Sequence, residues 1–101
     1  MNMDKTKIKG TSTEYEFKVF YLKDIDNLNF LNCIAIVAYY KKPNIFSMFY
    51  IEHFDSIKSL KNIFDLQLGH LLFIRELSEF EDKHRIINDI KTSNPEHEFD
   101  K

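Results

Sequence analysis

NCIAIVAYY, residues 32–40, decides how this chain folds. Cys33 to Ala38 are all apolar, so in an extended strand Ile34, Ile36 and Ala38 face one side while Cys33, Ala35 and Val37 face the other. A strand that is apolar on both faces must be covered twice, by helices, by a neighbouring hairpin or by another chain. A second β-rich run, IFSMFYIEH at 45–53, follows KKPN at 41–44. Pro43 lacks the amide that a ladder needs and Asn44 tolerates turn geometry, so the two runs read as a central hairpin.

Upstream, KTKIK (5–9) and EYEFKVFYL (14–22) flank the Gly-led turn GTST, and Tyr15, Phe17, Val19 and Tyr21 alternate with Glu16 and Lys18. That alternation predicts a leading hairpin with one wet face. KDIDNLNF (23–30) reads as a loop with room for one helical turn, because its Asp and Asn side chains compete for backbone partners. Downstream, Asp55 or Ser56 is placed to cap a helix over SIKSLKNIF, whose Ile57, Leu60, Ile63 and Phe64 recur at helical spacing. GHLLFIREL (69–77) is a third β run after Gly69. SEFE (78–81) reads as a capping box opening the last helix, with Phe80, Ile87 and Ile90 inward and Ile86 at the margin. That helix should stop before Asn94-Pro95 and leave EHEFDK as a polar tail.

At 101 residues the chain is too short to divide into two pieces with useful cores, so one domain is expected, with its core over about 5–95. Hydrophobic residues make up 44% and include ten Phe, enough for that core, and 30% charged residues supply the surface. A net charge of −2 argues against a protein whose main task is gripping a phosphate backbone. The lone Cys33 forms no internal disulfide, and no charged segment leading into an apolar one opens the chain, so a reducing cytoplasm is the expected setting. Apolar runs are far shorter than a bilayer span, and no membrane partner is expected.

The order of a leading hairpin, NCIAIVAYY, a turn, FYIEHFDSIKSL, GHLLFIREL and a closing helix running to Asn-Pro resembles the small GIY-YIG endonuclease-like domains of bacteria and phages. The likeness spans roughly residues 6–95 and includes GTSTEYEFKV near the start and LSEFEDKHRIINDIKTSNP near the end. In active members, the resemblance implies, two strand tyrosines, an arginine on the first helix and a metal-binding glutamate on the last helix carry phosphodiester cleavage. Those roles fit the reaction, which needs a nucleophile, positive charge on the phosphate oxygens and a metal to offset leaving-group charge.

Carried over residue by residue, the first tyrosine falls at Ala35, within CIA. The second signature matches YIE, which keeps Tyr50 and replaces its glycine with Glu52, a carboxylate that repels phosphate. The arginine falls at Leu60, with Lys58 and Lys61 beside it, and lysine cannot reproduce a planar fork. The glutamate falls at Ile87, which cannot ligate a hard cation, and neighbouring Asp89 points away around the helix. Tyr50 is therefore the vestigial catalytic-type residue, and Ala35, Glu52, Leu60 and Ile87 are degenerate positions. His53, His70, His84 and His97 show no metal-ligand spacing, so no metal or cofactor is expected and a structural role is favoured for each. Lys41, Lys42, Lys58 and Lys61 are the candidate nucleic-acid contacts, two separated pairs that form a thin footprint.

These readings give an α+β domain: an antiparallel sheet of two hairpins plus a later strand, helices mainly on one face, and a GIY-YIG-like plan. The doubly apolar central strands make a protein partner or a homodimer a natural cover for the second face. The expected function is a catalytically inactive binding protein acting on a protein partner, such as an inhibitor, immunity, anti-defence or accessory factor. The alternatives are an altered nuclease using Tyr50, Lys58 and Lys61, or nucleic-acid binding without cleavage.

Overall fold

The computed structural model describes residues 5–43, 45–63 and 70–99. The leading hairpin forms as its alternation requires: β1 (Lys5–Lys9) pairs antiparallel with β2 (Glu14–Tyr21), setting Thr6 opposite Phe17 and Ile8 opposite Tyr15. Ile8 and Phe17 are buried, while Lys5, Lys7 and Lys9 stay exposed. The amide of Gly10 donates to the Thr13 carbonyl at 2.7 Å and closes the turn. A Cβ at Gly10 would collide with the Asp89 carboxylate and lie 2.8 Å from Tyr15 Cε2, so this close approach requires glycine.

β3 (Leu31–Lys42) and β4 (Ile45–Ser56) form the central hairpin, with Ile36 opposite Ile51 and Val37 opposite Tyr50. The register shifts between Val37 and Ala38, where Ala38 pairs with Met48 and Phe49 is the extra residue of a bulge. Asn44, read as a turn residue, lies outside the described residues. β5 (Leu71–Glu76) inserts between the hairpins, giving the antiparallel order β1-β2-β5-β3-β4. As every neighbour is antiparallel, β2 runs parallel to β3, and β4 to β5; each of these connections crosses over a strand.

Those crossovers cover the second face of β3. The first carries a 3₁₀ helix, Leu22–Asn27 (η1), and the second another, Ile57–Asn62 (η2). Leu22, Ile25, Ile57 and Leu60 pack with Cys33, Ala35 and Val37 in one cluster. On the opposite face α1 (Lys83–Ser93) sets Ile86 and Ile90 against Ile34, Ile36 and Phe73. The residues from Cys33 to Ala38 are all 0% exposed, and their two faces are the ones the alternation predicts. Helical segments therefore lie on both faces instead of mainly on one. The chain itself supplies the second cover for which a partner or homodimer was the candidate.

Three local expectations change. The segment after β4 is a 3₁₀ helix, in which Ile57 and Leu60, three apart, stack on one side, while Ile63 is 54% exposed. Neither Asp55 nor Ser56 caps it by side chain; the Ile57 amide donates instead to the Phe30 carbonyl at 3.0 Å. Phe64, assigned to this helix, and Gly69, placed at the head of the third β run, lie outside the described residues. Ser78 and Glu81 do pair, with the Ser78 amide donating to Glu81 Oε1 at 3.1 Å and the Glu81 amide to the Ser78 carbonyl at 3.2 Å, but around a turn. The helix starts at Lys83 because Asp82 is its N-cap, accepting from the amides of His84 and Arg85 at 3.0 and 3.2 Å. Phe80 thus falls off the helix and is 89% exposed, and Ile86 is buried more deeply than Ile87.

The third change is the tail. Met48 donates its amide to His97 Nδ1 at 3.0 Å and accepts from the Glu98 amide at 2.9 Å, while Phe99 packs on the core. Residues 97–99 therefore strap β4 instead of trailing as a polar tail. The helix does stop at Ser93, where buried Asn94 donates to the carbonyls of Ile90 at 2.7 Å and Lys9 at 3.0 Å. One amide group thereby satisfies an orphan helix carbonyl and joins α1 to β1. Asn94→Ala is expected to cost about 1–3 kcal/mol in urea unfolding, since one buried and one part-buried acceptor lose their donor. Asn94→Asp fails similarly at neutral pH, because a carboxylate cannot donate.

Candidate functional site

The positions carried over from the nuclease resemblance occupy different settings. Ala35 sits in the middle of the sheet between Glu52 on β4 and Ile74 on β5, and is 0% exposed. Leu60 on η2 is likewise 0% exposed. Tyr50 is half-buried on the same face, its ring 6.5 Å from that of Phe54, and burial followed by the Glu52 charge raises its phenol above the usual range. Glu52 is exposed and accepts from the His53 amide at 3.0 Å. Ile87 packs against the core of the opposite face. The sheet thus gathers Ala35, Tyr50 and Leu60 and separates them from Ile87.

The lysines divide in the same way. Lys58 Nζ donates to the Asp26 carbonyl at 2.8 Å and Lys61 Nζ pairs with Asp26 Oδ1 at 2.9 Å, tying η2 to η1. Lys41 and Lys42 are exposed at the far tip of the β3–β4 hairpin, where Lys42 pairs with Ile45. The two pairs do not merge into one basic surface.

The histidines and the cysteine are held by local structure. His53 Nε2 lies 2.8 Å from Oδ1 of Asn32, whose φ of 47° is the left-handed conformation that asparagine tolerates. Burial, then the Lys83 charge, lowers the His53 imidazole. Burial also lowers His97, the acceptor for Met48. Cys33 is fully buried, and desolvation followed by the Glu76 charge pushes its thiol up to about 11. Among the described residues no group of three or more His, Cys, Asp or Glu is placed to hold a metal ion, and no helix is long and apolar enough to cross a membrane.

Two hollows remain. A polar groove of about 590 Å³ runs between the GTST turn and α1, lined in part by Thr11, Ser12, Phe80, Asp82, Arg85 and Asp89. Asp89 organises its wall, accepting from Tyr15 Oη at 2.6 Å, from the Thr11 amide at 2.8 Å and from Thr11 Oγ1 at 2.7 Å. The Tyr15 hydrogen bond, with those from Thr11, holds the Asp89 carboxyl at about 2. The second hollow, about 610 Å³, is lined by Tyr39, Phe49, His70 and Glu98. Sequence reasoning reached neither. It set Asp89 aside because it points away from Ile87 around the helix and read Glu98 as part of a polar tail, although the hydroxyl-rich GTST turn was visible. Compared with family models, characterised proteins and solved structures, the chain shows no significant match.

Asp89 supplies a pH test. Its value is depressed from 3.8 to about 2, so the stability it contributes is present above 3.8 and is lost as pH falls through about 2. The melting-temperature advantage of the native chain over Asp89→Asn is expected to shrink steadily from about pH 5 to about pH 2.

Proposed function

We propose that this chain is a non-catalytic binding protein on a GIY-YIG-like scaffold, with another protein as its partner. The observation that carries the reading is the complete burial of Ala35 and Leu60, at the positions of the first tyrosine and the arginine. These residues are integral to the second core, so a phosphate at the surface has no access to either side chain. Tyr50 retains a hydroxyl, but its raised pKa makes a phenolate scarcer and Glu52 places negative charge on the same strand. Ile87 fills a packing position across the sheet. The scaffold is thereby kept for its shape, with its former catalytic positions absorbed into packing.

A protein partner is preferred over nucleic acid because Lys58 and Lys61 are already engaged with Asp26. The remaining candidates, Lys41 and Lys42, would neutralise about two phosphates, so any DNA binding should lose affinity with salt at a log–log slope no steeper than about −2. A gel-shift series across salt concentrations measures that slope, and a markedly steeper one would favour a nucleic-acid ligand.

Purified protein incubated with labelled DNA or RNA and magnesium or manganese is expected to leave both intact. Cleavage that disappears in Tyr50→Phe would overturn the non-catalytic reading. Co-purification from native cells, followed by reconstitution with the purified partner, tests the interaction itself.

A further inference from the structure

The aromatic hollow lies at the end of the sheet where β3 and β4 run past the start of β5, since Leu71 pairs with Ala38 and Tyr39 is the next residue along. Phe49 is the bulged residue of β4, a device that re-aims a side chain out of the regular ladder. Its ring lies 5.9 Å from Tyr39 at 47° and 5.6 Å from His70 at 55°. Rings inclined by about half a right angle make a bent wall instead of a flat stack. The four described lining residues are half-buried, so each is held by the fold and still reachable.

Glu98 is held at two points, once by its carboxylate and once by its backbone. Tyr39 Oη donates to Glu98 Oε1 at 3.0 Å, and the Glu98 amide donates to the Met48 carbonyl at 2.9 Å. The phenol orients the carboxylate without neutralising it. Glu81 has Arg75 at 2.6 Å and Asp26 has Lys61 at 2.9 Å, but among the described residues no Lys or Arg pairs with Glu98. Aromatic faces are regions of negative potential, and the carboxylate adds a full negative charge beside them. That combination repels anions and favours a cation with apolar substituents, which gains from the rings and the charge together.

We propose that the hollow formed by Tyr39, Phe49, His70 and Glu98 binds an alkylammonium group, carried either by a free quaternary amine or by a lysine side chain, including its methylated forms. The site is separate from Tyr50 and Leu60, and its ligand class is independent of whether any nuclease chemistry survives.

The test is titration of the full ¹⁵N-labelled chain with choline, with N-acetyl-trimethyllysine amide and with 3,3-dimethylbutan-1-ol, the neutral isostere of choline. Saturable amide shifts at Tyr39, Phe49, His70 and Glu98 are expected with the two cations and not with the alcohol. Glu98→Gln, which keeps an acceptor for Tyr39, and Phe49→Leu, which keeps apolar bulk, should each weaken binding by about five-fold or more. Both variants are read only against a spectrum that is otherwise native. Tighter binding of the lysine derivative supports a protein side chain as the source, and tighter binding of choline supports a free amine. An equal response to the neutral alcohol, shifts that fail to saturate, or affinities unmoved by both substitutions would overturn the assignment.

Discussion

Everything in this fold answers to one constraint, the double burial of β3. Six consecutive residues, Cys33 to Ala38, have no exposure to solvent. Each large side chain among them is worth roughly 1.5–3 kcal/mol when removed from water, so neither face can be left wet in a domain of ordinary marginal stability. The solution is topological. Inserting β5 between the hairpins makes both long connections cross the sheet, and the apolar residues of η1 and η2 travel with them onto one face. That leaves α1 free for the other face, where Asn94 and the Asp89 cluster fasten it to the leading hairpin.

This constraint also explains what the sequence made legible. The alternating faces of β3, the two hairpins, the third β run and the end of α1 at Ser93 all follow from periodicity and turn chemistry, which act over a few residues. Position in the sheet does not. Placing β5 between β2 and β3 rests on long-range pairing such as Val19 with Phe73 and Ala35 with Ile74, which no local pattern encodes. The capping chemistry read at Ser78 and Glu81 shows the same limit. It closes a turn that the tertiary contact of Glu81 with Arg75 helps to hold, and Asp82, which the sequence reading did not weigh as the N-cap, caps the helix.

Burial at the positions carried over from the resemblance was more legible than their arrangement. The apolar faces of β3 and of the segment after β4 already called for Ala35 and Leu60 to be covered, but not for both to join one cluster with Tyr50 at its margin. Nor could the sequence say that Ile87 would lie across the sheet, because that depends on which face α1 selects. The aromatic hollow was harder still. Its members come from β3, β4, the residue before β5 and the tail, four segments brought together only by the completed sheet and its bulge.

The strap over β4 has a consequence for how the molecule meets copies of itself. An outer strand offers unpaired amides and carbonyls on which another chain can template. β1 guards one edge with Lys5, Lys7 and Lys9, so charge discourages pairing there. β4 uses a plug: an imidazole nitrogen and a tail amide saturate both polar groups of Met48 from within the chain. His97 and Glu98 thus occupy one position on an outer strand where a second copy could otherwise pair, so a segment that looks dispensable by composition bears on colloidal behaviour as well as on the fold.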